Sequence, residues 1–379
     1  MGFQRVVRPR FFIDMMSYLH ATGHGKYFVR RNSDHSTEPS NNQIHYGEIA
    51  DLLYCNTSSL IKFTLNGATT LFNYKDQVGG SKFPKLPIDC LVVLNHNLQG
   101  AGWSGGIRNS ADTSSVASWN SEHDLMGNSA YREHNGFTIR LRETVYTTDA
   151  SRLYFYTSTN EGNVGQRYMG SYFFGKSFVP PHSPNLSMTV SNTFDGVKST
   201  KTKGGHTISN ADFIGNPLWS GHNAWELWKY SEDPTTALPN ENPDATQQQM
   251  FVEDSKANLG RLGRRSWNFT FDFVSESDVF GALEQSNINP FNSTSTYPDD
   301  SGETFSTKGY DNPFLEEENF INRVWIPTLG GTIPMVMQVD HTNNNPDQFA
   351  IVTIKQNSFT VRPKAPNLYT LSMTLEETW

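Results

Sequence analysis

The chain has 379 residues, of which 36% are apolar, 13% aromatic and only 18% charged. With 25 Phe, 15 Tyr and 8 Trp it is too aromatic for a disordered chain, and too poor in charge for a coiled coil or helical array. The formal net charge of −8 argues against a general nucleic-acid binder, and a polar surface left to Asn, Ser, Thr, Gln and Gly reads as all-β with a few helices.

Phe11, Met15, Tyr18 and Leu19 recur at helical spacing and predict one helix over residues 10–21, closed by Gly23 and Gly25. Residues 31–43 are polar, so residues 1–43 read as a helix on a tether: a docking element, or a helix packed on its own domain. Asp14 interrupts the apolar run after the basic N-terminus, so no secretory signal is expected. Leu60–Leu65, ending at Asn66-Gly67, and Leu71–Tyr74 predict strands. Ile88–Leu94 is nearly all apolar and predicts a strand buried on both faces. Cys90 lies in that run and is expected as a packed free thiol; with Cys55 it makes two cysteines, too few for a disulfide framework, which fits a reducing cytosol. Residues 100–135, rich in Gly, Ser and Asn, read as one long loop carrying Trp103 and Trp119. Phe137–Arg142 alternates as a strand with Arg140 and Arg142 outward, and Leu153–Tyr156 and Tyr168–Phe174 are further strands.

Three prolines in Val179–Pro184 make a stiff connector and place a domain boundary, giving segments 44–180 and 181–379. Leu186–Val190 alternates, and residues 230–250 and 286–312 read as polar loops. Ser266–Phe273 is the clearest strand: Trp267, Phe269, Phe271 and Phe273 share one face. Asn312-Pro313 opens a predicted helix reaching Trp325, with Glu316, Glu317 and Glu318 suited to its first turn. Ile333–Val339, Phe349–Gln356, Ser358–Arg362 and Tyr369–Leu375 predict closing strands. No apolar stretch is long enough to cross a bilayer, so no membrane partner is expected.

The order in the last third is an aromatic strand (Trp267–Phe273), a helix (Phe320–Trp325), an apolar strand (Gly330–Gln338), then closing strands ending Leu375-Glu376-Glu377-Thr378-Trp379. It resembles the tail-tube-type β-sandwich of long-tailed bacteriophages, the module of distal tail proteins and related baseplate hub or tail-tip subunits. Asn343–Ala350 and Ala365–Tyr369 also resemble stretches of phage virion proteins. In the first half, Pro87–Leu98 and Tyr168–Gly175 resemble an early and a late strand of jelly-roll, galactose-binding-like modules of phage structural proteins. Together these resemblances imply two β-sandwiches, jelly-roll-like over 44–180 and tail-tube-like with one flanking helix over 181–379. They further imply a ring, commonly hexameric, that joins the tail tube to baseplate or fibres, with other tail proteins as neighbours and DNA only as cargo in the lumen.

The candidate residues fit a non-catalytic part. Asn95-His96-Asn97 and Asp340-His341 read as turns, and His20, His24, His35 and His45 match no zinc spacing. Glu143 and Asp149 are surface acids rather than a placed glycosidase pair. The glycine-rich Gly204-Gly205-His206 and Gly260–Gly263 lack the context of a phosphate loop. No catalytic residue, metal site or cofactor is expected. Arg261, Arg264 and Arg265 form the one dense basic cluster and, with an edge-forming C-terminal strand ending at Trp379, are the expected subunit interface. Trp103 and Trp119 are the candidates for a ligand-binding loop, with Trp219, Trp225 and Trp228 also near loops. The expectation is a structural protein of the tailed-phage virion, made in the host cytoplasm. The alternative is a carbohydrate- or receptor-binding virion module facing a host-surface glycan.

Overall fold

The computed structural model describes residues 6–23, 26–32, 53–56, 61–64, 69–75, 87–96, 98, 103–108, 115–125, 136–147, 152–157, 166–193, 197–211, 264–280, 296–298, 304–306, 318–344 and 348–378. Its strands, in chain order, are β1 (Arg10–Asp14), β2 (Lys26–Asn32), β3 (Ile61–Thr64), β4 (Thr69–Lys75), β5 (Pro87–His96), β6 (Trp103–Arg108) and β7 (Ser115–Trp119). Then come β8 (Gly136–Thr147), β9 (Arg152–Thr157), β10 (Gln166–Phe178), β11 (Thr189–Thr193), β12 (Val197–Lys201), β13 (Thr207–Ala211) and β14 (Arg264–Ser275). The last are β15 (Thr296–Pro298), β16 (Thr304–Ser306), β17 (Met335–Gln338), β18 (Phe349–Ile354), β19 (Thr360–Ala365) and β20 (Leu368–Glu377). The fold is mostly β, and its sheets are antiparallel.

Among the described residues, eleven strands share one sheet, ordered β11-β14-β20-β18-β17-β1-β10-β5-β8, with β19 also paired to β20 and β3 to β10. A five-stranded sheet, β2-β4-β9-β6-β7, packs on part of it, and β12–β13 and β15–β16 are separate two-stranded pairs. The large sheet runs across the connector at 180, because β1 lies between β10 before it and β17 after it.

The helix expected over 10–21 is corrected. Residues 10–14 are strand, and only Met15–Ala21 is helix, here α1. The Phe11-Phe12-Ile13 run fills both faces of a central strand, which a surface helix cannot do. Phe12 joins one core, whereas Phe11 and Ile13 join another on the opposite face. Neighbouring strands continue the rows: Phe12 stands opposite Val336 and Val336 opposite Ile351, while Phe11, Met337 and Ala350 line the other face. Asp14 ends the strand and caps α1, accepting from the Ser17 amide at 2.8 Å and from its hydroxyl. Gly175 stands opposite Asp14; a Cβ there would lie 2.1 Å from the Ile13 carbonyl oxygen, so only glycine lets β1 and β10 approach so closely.

Full burial pushes the Asp14 carboxyl up to about 7, with its bonds to Ser17 opposing the shift. The native state therefore holds a proton that the unfolded chain, with a carboxyl near 3.9, releases. Stability is expected to fall as pH rises from about 4 to about 7, by up to roughly 4 kcal/mol, and to level off above. Urea midpoints of the wild type and Asp14→Asn across that range check this: the variant's profile should be flatter, and equal slopes would contradict the assignment.

The first core lies between β5 and β10 of the large sheet and β6, β7 and β9 of the smaller one: Trp119 meets Phe174 edge-on at 5.3 Å, and Phe155 meets Tyr172 at 5.8 Å. As expected, β5 is buried along its whole length, and Cys90 is a buried free thiol, as is Cys55. The second core joins β14 and β20 to β1, β17, β18 and the helical turn after Phe320. That turn is π-helical over Ile321–Trp325, with Ile326 N–H donating to the Ile321 carbonyl at 2.9 Å. The helix predicted from 312 lies outside the described residues up to 317.

Trp267, Phe269 and Phe271 of β14 are buried as predicted, but Phe273 is not. A register shift between Phe271 and Val274 turns Val274 inward and leaves Phe273 56% exposed at φ +60°. β20 is corrected as well. It is no sheet edge: β14 pairs along one side of it and β18 and β19 along the other, with Leu371, Met373 and Leu375 in the core. Among the described strands, the sheet order ends instead on β11 and β8.

Candidate functional site

The region 100–135 is not one loop. β6 and β7 pair with each other and form one side of the smaller sheet. Trp119 is fully buried and donates Nε1–H to the Asp89 carbonyl at 3.0 Å. Trp103 is half-buried, stacked on Phe155 at 5.3 Å. Neither is presented as a loop platform for a ligand. Arg140, expected outward, is buried because this sheet covers it. Its guanidinium lies 3.4 Å from the Trp103 ring centre. It donates to Asp124 at 2.7 Å and to the Trp103 and Trp119 carbonyls at 2.8 and 3.1 Å. Burial pulls the Arg140 pKa down, and Asp124 opposes that shift. These are the partners a buried cation requires.

Arg265 is also turned inward. Its Nη2 and Nε donate to Oε1 and Oε2 of Glu377 at 2.7 and 3.0 Å, and its backbone N–H to Oε2 at 2.9 Å. Nη2 reaches the Phe349 carbonyl at 3.2 Å, and the guanidinium lies 5.0 Å from the Trp267 ring centre. Of the arginines expected at a subunit interface, Arg265 is thus paired with an acid of its own chain. Arg264 is half-buried beside it, while Arg261, Trp379, Trp219, Trp225 and Trp228 lie outside the described residues.

The sequence reading did not single out the buried Asp89, which accepts from Lys176 Nζ at 2.8 Å and from the Ser177 amide and hydroxyl at 2.6 and 2.8 Å. Lys176 also lies 3.5 Å from Glu318, which pairs with the buried Arg323 at 3.1 Å. The signal was available: an aspartate inside Ile88–Leu94 cannot stay charged without partners.

The histidines serve local geometry. His96 Nδ1 accepts from the Leu98 amide at 3.2 Å, which leaves Nε2 to donate to Thr138 Oγ1 at 3.0 Å. Asn95 beside it is left-handed at φ +48°. His341 Nδ1 donates to the Arg8 carbonyl at 2.9 Å, and Asp340 accepts from the Thr342 amide at 2.8 Å. His20 lies 3.0 Å from the Tyr54 hydroxyl. Among the described residues, no three His, Cys, Asp or Glu side chains are grouped to hold a metal. Glu143 is exposed; Asp149, His24, His35, His45 and Gly260–Gly263 lie outside the described residues.

The surface features lie elsewhere. Phe273 projects beside Lys364, whose Nζ is 4.3 Å from the ring centre and 2.9 Å from Asp272. Bonds from Thr370, Lys364 and Asn185 hold the Asp272 carboxyl down at about 2. Leu186, next to Asn185, is 87% exposed. The connector lines an apolar cleft with Phe178, Phe271, Val274, Phe320 and Leu371, whose titratable members are His182 and Asp278. β11 is exposed at every residue, as is the turn of the β12–β13 hairpin, where Gly205 has φ +83°. No family model matches the chain, nor does any curated protein or solved structure.

Proposed function

We propose that this protein is a structural subunit of a tailed-phage virion, a self-assembling ring element at the distal tail or baseplate. The observation that carries the self-assembly is the end of the large sheet: among the described strands β11 is the last in the order, it is uncharged and exposed at every residue, Val190 included, and Leu186 shortly before it is exposed too. Such an edge is a template for pairing with another chain, and a head-to-tail contact that closes makes a ring. The phage setting rests on the resemblance of residues 255–379 to tail-tube-type modules. Consistent with a scaffold, Arg140, Arg265, Trp119 and His96 are all spent on internal bonds.

Light scattering and negative-stain images of the purified chain test the reading. A closed ring with an open centre is the expected result. A chain that stays monomeric and is not incorporated into tails overturns it. If that monomer binds a host-surface glycan through Phe273, the exposed aromatic beside Lys364 and Asp272, the carbohydrate-binding reading replaces it.

A further inference from the structure

Residues 53–56 form a turn in an uncommon backbone conformation. Asn56 N–H donates to the Leu53 carbonyl at 3.1 Å, and the two residues between them, Tyr54 and Cys55, are both left-handed, at φ +58° and +50°. Turns with two such residues usually carry Asn-Gly. A tyrosine and a cysteine adopt this conformation only where contacts on several sides fix it. Tyr54 N–H donates to Ser17 Oγ of α1 at 2.8 Å, and the Tyr54 hydroxyl lies 3.0 Å from His20 Nδ1. Cys55 Sγ donates to the Pro334 carbonyl at 3.6 Å, and Leu53 is fully buried in the first core.

One atom joins this turn to a titratable group. Ser17 Oγ, which accepts from Tyr54, is also bonded to the buried Asp14 carboxyl, and the same carboxyl accepts from the Ser17 amide. Burial raises that carboxyl to about 7. The described groups facing it from other elements are Tyr54 and Cys55 of the turn and Cys90 of β5; burial pushes all three up, so each is neutral where Asp14 titrates. Lys176 of β10 is bound to Asp89, and His20, on the helix that Asp14 caps, is exposed. An ionised Asp14 is thus a buried carboxylate with no cation among the described residues bonded to it, and water is what would relieve it. The walls around it differ in strength. β1, β5 and β10 are interior strands of the large sheet, whereas the turn supplies four residues, two of them strained. The turn is the wall that opens most readily.

We propose that residues 53–56 are a proton-controlled latch: the turn closes on α1 while Asp14 is protonated and lifts away when Asp14 ionises, letting water reach the carboxylate. The closed turn holds the proton and the open turn releases it. Closure is therefore strongest below about pH 4, weakens as pH rises, and levels off above about pH 7. The latch stands whether or not the chain assembles.

Thiol labelling of the full chain tests it, because Cys55 sits in the turn and Cys90 in the core strand β5. Dipyridyl disulfide is the reagent, and peptide mapping assigns the label. Asp14→Asn still caps α1 but cannot ionise. The ratio of wild-type to Asp14→Asn labelling rates at Cys55 cancels the thiol's own titration, and it should rise about a hundredfold between about pH 5 and pH 8. Cys90 should label far more slowly throughout. Ser17→Ala removes the acceptor of Tyr54 N–H, so at about pH 5 its Cys55 should already label about tenfold faster than the wild type. A ratio that stays flat with pH overturns the proposal. So does labelling of Cys55 and Cys90 at one common rate, which would make the opening global. A pH dependence that survives Asp14→Asn and disappears in His20→Gln would place the trigger on His20 and overturn it as well.

Discussion

Phe12→Ala is expected to lower the unfolding free energy by about 3–5 kcal/mol, and Phe11→Ala by a similar amount. Both side chains are fully buried, yet they fill opposite faces of one strand. Phe12 lies 6.5 Å from Phe349 and packs in the core under the smaller sheet; Phe11 packs in the core of β14 and β20. β17 and β18 divide in the same way, with Val336 and Ile351 in one core and Met335, Met337, Ala350 and Val352 in the other. Three adjacent strands thus belong to both cores at once. Neither core can lose β1 without opening the other, so each substitution should shift a single unfolding transition. Urea unfolding followed by near-ultraviolet circular dichroism reads both cores, since Trp119 reports one and Trp267 the other. Two separated transitions would show that the segments on either side of residue 180 unfold independently.

That shared strand also shows where sequence reasoning stops. The β class, the fully buried β5, the aromatic face of β14 and the packed Cys90 were legible, because each depends on local alternation or on a continuous apolar run. β1 was not legible. A five-residue strand with four residues buried, on both faces, by partners more than 160 positions away has no periodicity of its own, and Met15, Tyr18 and Leu19 supplied a helical one. The bulge at Phe273 breaks a perfect period-two pattern, and no local rule foretells it. β6 and β7 were hidden by their Gly and Ser content. A Cβ at Gly105 would lie 2.4 Å from Leu91 Cδ2, so a larger residue there has to displace the buried Leu91 side chain. The inward turn of Trp119, Arg140 and Arg265 was hidden for a related reason. Tryptophans and arginines are equally suited to surfaces and to buried stacks, and only the covering sheet decides between them. The exposed β12–β13 hairpin, in contrast, shows in the sequence as a short polar stretch with three lysines and no acid.

Breaking the Arg265–Glu377 pair should be as costly as emptying a core position. Arg265→Ala leaves a carboxylate with 5% of its side chain exposed and no cation against it, an expected loss of about 3–5 kcal/mol. Arg265→Lys should recover only part of this, because an ammonium cannot hold both carboxylate oxygens and the Phe349 carbonyl in one plane. Replacing both partners, as Arg265→Met with Glu377→Leu, should return most of the stability, since the cost lies in the orphaned charge rather than in the pair. Urea midpoints for the three variants give the ranking. Equal midpoints for Arg265→Ala and the double variant would mean that the guanidinium's packing against Trp267 matters more than its charge. The same pair decides what the C-terminal strand is for. Deleting residues 374–379 removes Leu375 from the second core and Glu377 from Arg265 together, so the truncated chain should lose the fold of β14 and β20. A truncated protein with the wild-type midpoint would instead make the strand a detachable arm, which its pairing on both sides opposes.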